Sequence, residues 1–145
     1  MSIFRTMKGR LHQMSRVAGQ AETGRRDGWH LMRDGAVVVL ARRLPARFDL
    51  SASIALPVAG HSVGRARLAR QVRQDVWRCL RDLRGFWPVV RIEQGENALH
   101  VTAGGALSQG PLSAGLRKQV EQRLADLLAD PARHRRWLTY AGRAA

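Results

Sequence analysis

Cysteine and long apolar runs are scarce in this sequence of 145 residues. A single cysteine, Cys79, excludes a disulfide framework and a zinc site built on several thiolates. The longest apolar run, AVVVLA at 36–41, has the length of a strand and is far shorter than the roughly 18–20 residues that span a bilayer. Residues 1–20 lack the continuous apolar stretch and the small-residue cleavage site of a secretory signal. These absences predict a cytoplasmic protein in a reducing compartment.

Motifs for catalysis and metal binding are absent as well. The five histidines lack the HxxxH or HxH spacing that brings two imidazoles to one metal ion, and there is no GxSxG elbow. Cys79 falls inside the apolar arc of a predicted helix, where a cysteine packs as a small hydrophobic residue. The stretch GGALSQG at 104–110 lacks the lysine of a phosphate-binding loop, and we predict a flexible connector there. We therefore expect a non-enzymatic protein without a cofactor or a metal ion.

Positive charge, in contrast, is abundant. The chain has 25 lysines and arginines against 11 acidic residues, a formal net charge of +14. All but two of the basic residues are arginine, and a GC-rich genome also enriches arginine, so the location of the charge is more informative than its amount. Residues 1–21 carry +4, residues 65–84 carry +5 and residues 112–145 carry +4. This distribution predicts a positive surface made by helices rather than a groove across strands.

Hydrophobic periodicity predicts an α+β fold, with an antiparallel sheet of about five strands and amphipathic helices packed on it. The fully apolar AVVVLA is expected to be a central strand covered on both faces. Together with an N-terminal helix, the order is helix, three strands, helix, two strands and two helices, and residues 22–145 form a single domain. The elements of that domain are hairpins over 29–43 and 88–103, a strand over 48–56, and helices over 65–84, over 112–129 and from Asp130-Pro131 onward.

The element order resembles that of the small type III secretion chaperones, which are homodimers that bind unfolded segments of a secreted partner. The resemblance implies a chaperone-like dimer as one class of function. Members of that family are typically acidic, whereas this chain is strongly basic.

Residues 1–21 are predicted to form a separate, basic amphipathic helix. Apolar residues recur at three- and four-residue intervals over 3–18, and basic residues occupy the opposite side. Such a helix suits a groove on another protein, a second copy of this chain, a membrane surface, or the domain's own sheet. The candidate residues for docking to a partner are Phe4, Met7, Leu11 and Met14.

The predicted helix over 65–84 carries seven arginines opposite its apolar stripe and has only Asp75 and Asp82 to offset them. A solvated helix face would explain this pattern. A surface for a polyanion explains it too, because an anionic partner relieves the repulsion among the arginines and releases counterions. A second basic cluster, RHRRW, lies at 133–137. The candidate residues for binding a polyanion are Arg67, Arg70, Arg73, Trp77, Arg78, Arg81, Arg135 and Arg136.

The leading hypothesis is therefore a binding module for nucleic acid first and an acidic protein surface second. The alternative is a structural or adaptor subunit of a larger assembly, or a homo-oligomer, that docks through the N-terminal helix.

Overall fold

The structure is a computed structural model, and it describes residues 22–26, 28–58 and 62–142. The predicted N-terminal helix, with Phe4, Met7, Leu11 and Met14, lies outside the described residues, so it stays a prediction. None of the helices within the described ranges is long and apolar enough to cross a bilayer.

An antiparallel sheet and three helices make up the described part of the chain, which confirms the α+β class. The strands pair in the order β1-β2-β3-β5-β6-β4. In chain order the elements are β1 (Glu22–Arg26), β2 (Trp29–Asp34), β3 (Val37–Ala41), β4 (Leu50–Pro57), α1 (Arg65–Leu80), β5 (Phe86–Gln94), β6 (Ala98–Leu107), α2 (Ala114–Ala129) and α3 (Pro131–Gly142).

The predicted element order is wrong at its beginning. The five predicted strands are β2 to β6, but β1 precedes them at the edge of the sheet, so four strands come before α1. The sequence of β1, ETGRR, contains no apolar residue and therefore shows no alternation. Its backbone pairs with β2 from Glu22↔Arg33 to Arg26↔Trp29. The order on which the resemblance to secretion chaperones depends therefore differs in the structure.

Strand β3 lies in the middle of the sheet and is buried on both faces, as its apolar sequence predicts. Its side chains alternate between two separate clusters. Leu40 belongs to the larger cluster, which includes the apolar stripes of all three helices, whereas Val39 belongs to a smaller cluster with Met32 and Val89 on the opposite face. The described helices thus cover one face of the sheet.

The predicted connector at 104–110 is wrong in its first half, because residues 104–107 extend β6. Both glycines in this stretch pair with neighbouring strands, Gly104 with Ser51 and Val89. A Cβ at Gly104 would collide with the Leu50 carbonyl oxygen and stand 2.7 Å from the Ser51 Cα. Glycine is needed here because a neighbouring backbone occupies the space of a side chain, and that reason is not visible in the local sequence.

Helix α1 ends at Leu80, four residues before the predicted end. The Leu83 N–H donates to the Leu80 carbonyl at 2.9 Å and closes a turn, and Gly85 then takes a φ of +70° at the entry to β5. This compact connection brings the last turn of α1 close to the beginning of β5, and it positions the cleft described below.

Helices α2 and α3 begin at side-chain caps. Ser113 accepts a hydrogen bond from the Leu116 N–H at 3.2 Å, and Asp130 accepts one from the Ala132 N–H at 3.0 Å. Capping of this kind satisfies backbone donors that have no partner within the helix. The start of α3 at Asp130-Pro131 agrees with the sequence prediction.

Candidate functional site

A cleft of about 690 Å³ opens at one end of the sheet, between the strands and α1. Because the strands are antiparallel, the start of β2, the end of β3 and the start of β5 meet at this end. The pairing Ala41↔Val89 and a hydrogen bond from the Arg42 N–H to the Pro88 carbonyl, at 3.1 Å, join the last two. The cleft is lined by Trp29, Arg42, Arg73, Gln74, Trp77, Arg81, Leu83, Arg84, Gly85, Phe86, Trp87 and Pro88.

Two arginines stack on Trp29, at the inner side of the cleft. The guanidinium carbon of Arg73 lies 4.7 Å from the ring centroid, and that of Arg42 lies 5.9 Å from it. Arg42 also donates to the Gly28 carbonyl at 2.5 Å. Gly28 has a φ of +78°, and a Cβ there would lie 3.1 Å from the guanidinium carbon of Arg42. Two of the arginines that line the cleft therefore contact the same tryptophan ring, and one of them is also hydrogen-bonded to the backbone.

Trp77 is the open aromatic surface of the cleft. Its side chain is 49% exposed. Residues four apart lie above one another on a helix, so Arg73, Trp77 and Arg81, the residue that caps the end of α1, follow one another on one side. Within the described part of the chain no arginine stacks on Trp77, in contrast to Trp29 and Trp87. Its indole face is therefore accessible between two cations.

In the described part of the chain, every charged side chain that lines the cleft is positive. Four arginines line it, and no acidic residue does so among those the structure describes. Asp75, on α1, is only 5% exposed and faces α3, where Trp137 Nε1 donates to its Oδ2 at 2.7 Å and Arg136 also bonds to it. Arg81 and Arg84 make no hydrogen bond or ion pair within the described ranges. An anion entering the cleft therefore meets the positive charges of Arg81 and Arg84.

The structure divides the eight sequence candidates into three groups. Arg73, Trp77 and Arg81 line the cleft. Arg67 and Arg78 are exposed and Arg70 is half-buried, but these three lie on α1 outside the cleft. The remaining two, Arg135 and Arg136, lie on α3, where Arg136 pairs with Asp75.

Sequence reasoning missed half of the cleft. Trp29, Arg42, Arg84 and Trp87 come from the start of β2, the loop after β3, the loop after α1 and the start of β5. The prediction of a purely helical positive surface is thus too narrow, because the cleft lies where a helix crosses strand ends. One signal was available: the chain has four tryptophans, and the three that line the cleft stand at the borders of predicted strands or beside arginines.

Other chemistry has little structural basis in the described ranges. No group of three or more histidine, cysteine or carboxylate side chains there could hold a metal ion. Cys79 is half-buried and packs against the core. Among the described residues that line the cleft, no nucleophile is paired with a general base.

The fold and the cleft together define an α+β protein whose antiparallel sheet carries a basic, tryptophan-lined cleft at one end. No protein-family model matches the sequence, and no curated protein or solved structure shows significant similarity to it. The function must therefore be argued from the cleft.

Proposed function

We propose that this protein is a non-enzymatic module that binds nucleic acid in the cleft between α1 and the strand ends. The observation that carries the proposal is Trp77, half-exposed and flanked by Arg73 and Arg81 one helical turn away on either side. An aromatic face between cations matches a nucleobase between phosphates. Base stacking on aromatic side chains is worth about 1–3 kcal/mol per base.

The stacked arginines support the same proposal. Arg73 lies over Trp29, and its guanidinium carries five N–H donors of the kind that bind phosphate. A guanidinium that is already held in place loses less conformational entropy on binding than a free one. Arg81 and Arg84 add positive charge at the mouth of the cleft, which attracts a polyanion over a distance.

An acidic protein segment is the competing ligand, because it too would pair with the arginines. Nucleic acid is favoured because a carboxylate-rich peptide has no requirement for an open indole face, whereas a base stacks on it. The adaptor hypothesis depends on residues 3–18, which lie outside the described residues, and no described contact favours it.

Fluorescence anisotropy with labelled oligothymidylate tests the proposal. Trp77→Ala should weaken binding about 5- to 100-fold, since it removes the stacking surface. Trp77→Phe should retain part of the affinity, because an aromatic face remains. The half-exposed position predicts that the thermal midpoint of unfolding changes little in either variant.

Variants that remove one charge inside or outside the cleft test where the ligand binds. Arg81→Gln should weaken binding more than Arg67→Gln, which removes the same charge from the same helix outside the cleft. Lys118→Gln, at an exposed position on α2, is the control for a change of net charge. Equal losses for Arg81→Gln and Arg67→Gln would assign binding to the whole helix face. An acidic peptide that binds more tightly than the oligonucleotide would replace nucleic acid as the ligand.

A further inference from the structure

A second cavity shares Trp87 with the cleft, and it is also lined by Val89, which lies on the face of the sheet opposite the helices. This cavity, of about 310 Å³, is lined by Trp87 together with the loop that follows β3 and the end of β6. Trp87 therefore belongs to both spaces. Among the residues that line the second cavity are Arg43, Leu44, Pro45, Arg47 and Ser108.

The second cavity repeats the chemistry of the cleft. The guanidinium carbon of Arg43 lies 4.9 Å from the Trp87 ring centroid, just as Arg73 is held over Trp29. Arg47 adds a further cation at the far side. Trp87 and Trp29 thus each contact an arginine, and a guanidinium group is well suited to donate to a phosphate.

On the strength of the proposed function, we propose that the ligand is a single strand that runs from the cleft over Trp87 into the second cavity. A single strand is required because stacking on Trp77 needs a base with a free face, and duplex bases are already stacked on each other. A cation–aromatic pair at each end of the path suits a flexible backbone that turns around the end of the sheet.

The sheet sets the length of this path. Its lining residues come from β2, the loop after β3, β5 and the end of β6, and the strands β2, β3, β5 and β6 are neighbours in the sheet. Three intervals of about 4.8 Å give a path of about 14 Å. At about 3.4 Å per stacked nucleotide this corresponds to about five nucleotides.

The proposed path ends at Arg47, because a carboxylate lines the next cavity. Arg47 pairs with Asp49, with 3.1 Å between Nε and Oδ2. The next cavity beyond Arg47 is lined by that carboxylate as well as by Arg117, whereas no acidic residue lines the cleft or the second cavity in the described part of the chain. The attraction for a phosphate chain therefore falls at this point.

Oligothymidylates of two, five and ten nucleotides, and a ten-base-pair duplex, test the inference by anisotropy with the full-length protein. Affinity should rise steeply from two to five nucleotides and only slightly from five to ten. The duplex should bind more weakly than the single strand of the same length. Oligouridylates of the same lengths serve as the RNA arm.

The variant Arg43→Gln distinguishes binding along the whole path from binding in the cleft alone. It should weaken binding of the five- and ten-nucleotide strands about tenfold and leave the dinucleotide unchanged, whereas Trp77→Ala should weaken all lengths. Arg43→Lys, which keeps the charge but loses the planar stack on Trp87, should fall between wild type and Arg43→Gln. Lys118→Gln is again the charge control, and the thermal midpoint of each variant reports on folding.

The outcomes distinguish the two proposals. If wild type binds oligonucleotides but Arg43→Gln has no effect at any length, or an equal effect at every length, the path is wrong and the cleft proposal stands. Duplex affinity equal to or above that of the single strand also overturns the path. If wild type binds no oligonucleotide of any length, the proposed function itself fails.

Discussion

Trp137 donates its indole N–H to Asp75 Oδ2 at 2.7 Å, in the interface between α1 and α3. Trp137 is fully buried, and its ring lies 5.7 Å from that of His134. Arg136 bonds to the same carboxylate oxygen, and Arg133 Nε lies 3.8 Å from it. One of the two acids on the arginine-rich segment thus serves to dock α3 and does not line the cleft.

Removal of the Asp75 carboxylate should destabilise the fold. Asp75→Ala leaves the buried indole N–H of Trp137 without an acceptor, so we expect a loss of about 2–3 kcal/mol in the free energy of unfolding. Urea denaturation followed by circular dichroism measures it. Asp82→Ala, at an exposed position just after the same helix, is the matched control and should change stability by no more than about 0.5 kcal/mol. Equal effects of the two variants would contradict the docking role.

Two glycines should respond to alanine with opposite signs. Gly104→Ala places a Cβ against the Leu50 carbonyl of the neighbouring strand, so we expect a loss of at least about 3 kcal/mol or a failure to fold. Gly115→Ala, in the first turn of α2 with nothing within 4 Å of its Cβ, should raise stability by about 0.5–1 kcal/mol. Denaturation midpoints of the purified variants give the comparison. A Gly104→Ala protein of wild-type stability would show that β6 does not approach β4 as closely as described.

The stack of Arg73 on Trp29 should be measurable without any ligand. A double-mutant cycle of Arg73→Gln and Trp29→Leu should give a coupling energy of about 0.5–1 kcal/mol in unfolding experiments, the usual strength of a cation–aromatic pair near the surface. A coupling energy indistinguishable from zero would mean that the guanidinium is not held over the ring in solution. In that case the cleft is not organised in advance of binding.

Salt dependence should report how many arginines contact phosphate. The logarithm of the binding constant for a single strand falls with the logarithm of the salt concentration by about 0.7 per phosphate contact. Arg81→Gln should lower this slope by about 0.7, whereas Lys118→Gln should leave it unchanged. Titrations with oligothymidylate at four salt concentrations measure the slopes. An unchanged slope for Arg81→Gln would remove that residue from the set of phosphate contacts.

Most of the elements could be predicted because their side chains repeat with a clear period. Leu68, Val72, Val76 and Leu80 mark the buried side of α1 every four residues, and AVVVLA marks the central strand. Strand β1 could not be predicted, since it joins the sheet through backbone pairing and its sequence has no apolar pattern. The glycines of β6 were misread as a connector because the backbone that requires them belongs to β4.

The candidate site was predictable only where it lies within one helix. Helical spacing alone places Arg73, Trp77 and Arg81 in one row, and these three line the cleft. The same spacing could not distinguish them from Arg67 and Arg78. Which residues of a helix line a cleft depends on the elements that pack beside the helix. Nor could the sequence indicate that Asp75 would be withdrawn into the interface with α3.

By itself, the sequence determined the α+β class, the positions of five strands and three helices, and an excess of arginine without matching carboxylates. These properties follow from local periods and from composition, which need no knowledge of what lies opposite each residue. Only the tertiary structure decided where that charge becomes a site. Trp29, Trp77 and Trp87 are distant in sequence, and they meet because antiparallel pairing brings the start of β2 and the start of β5 to the end of the sheet that α1 crosses.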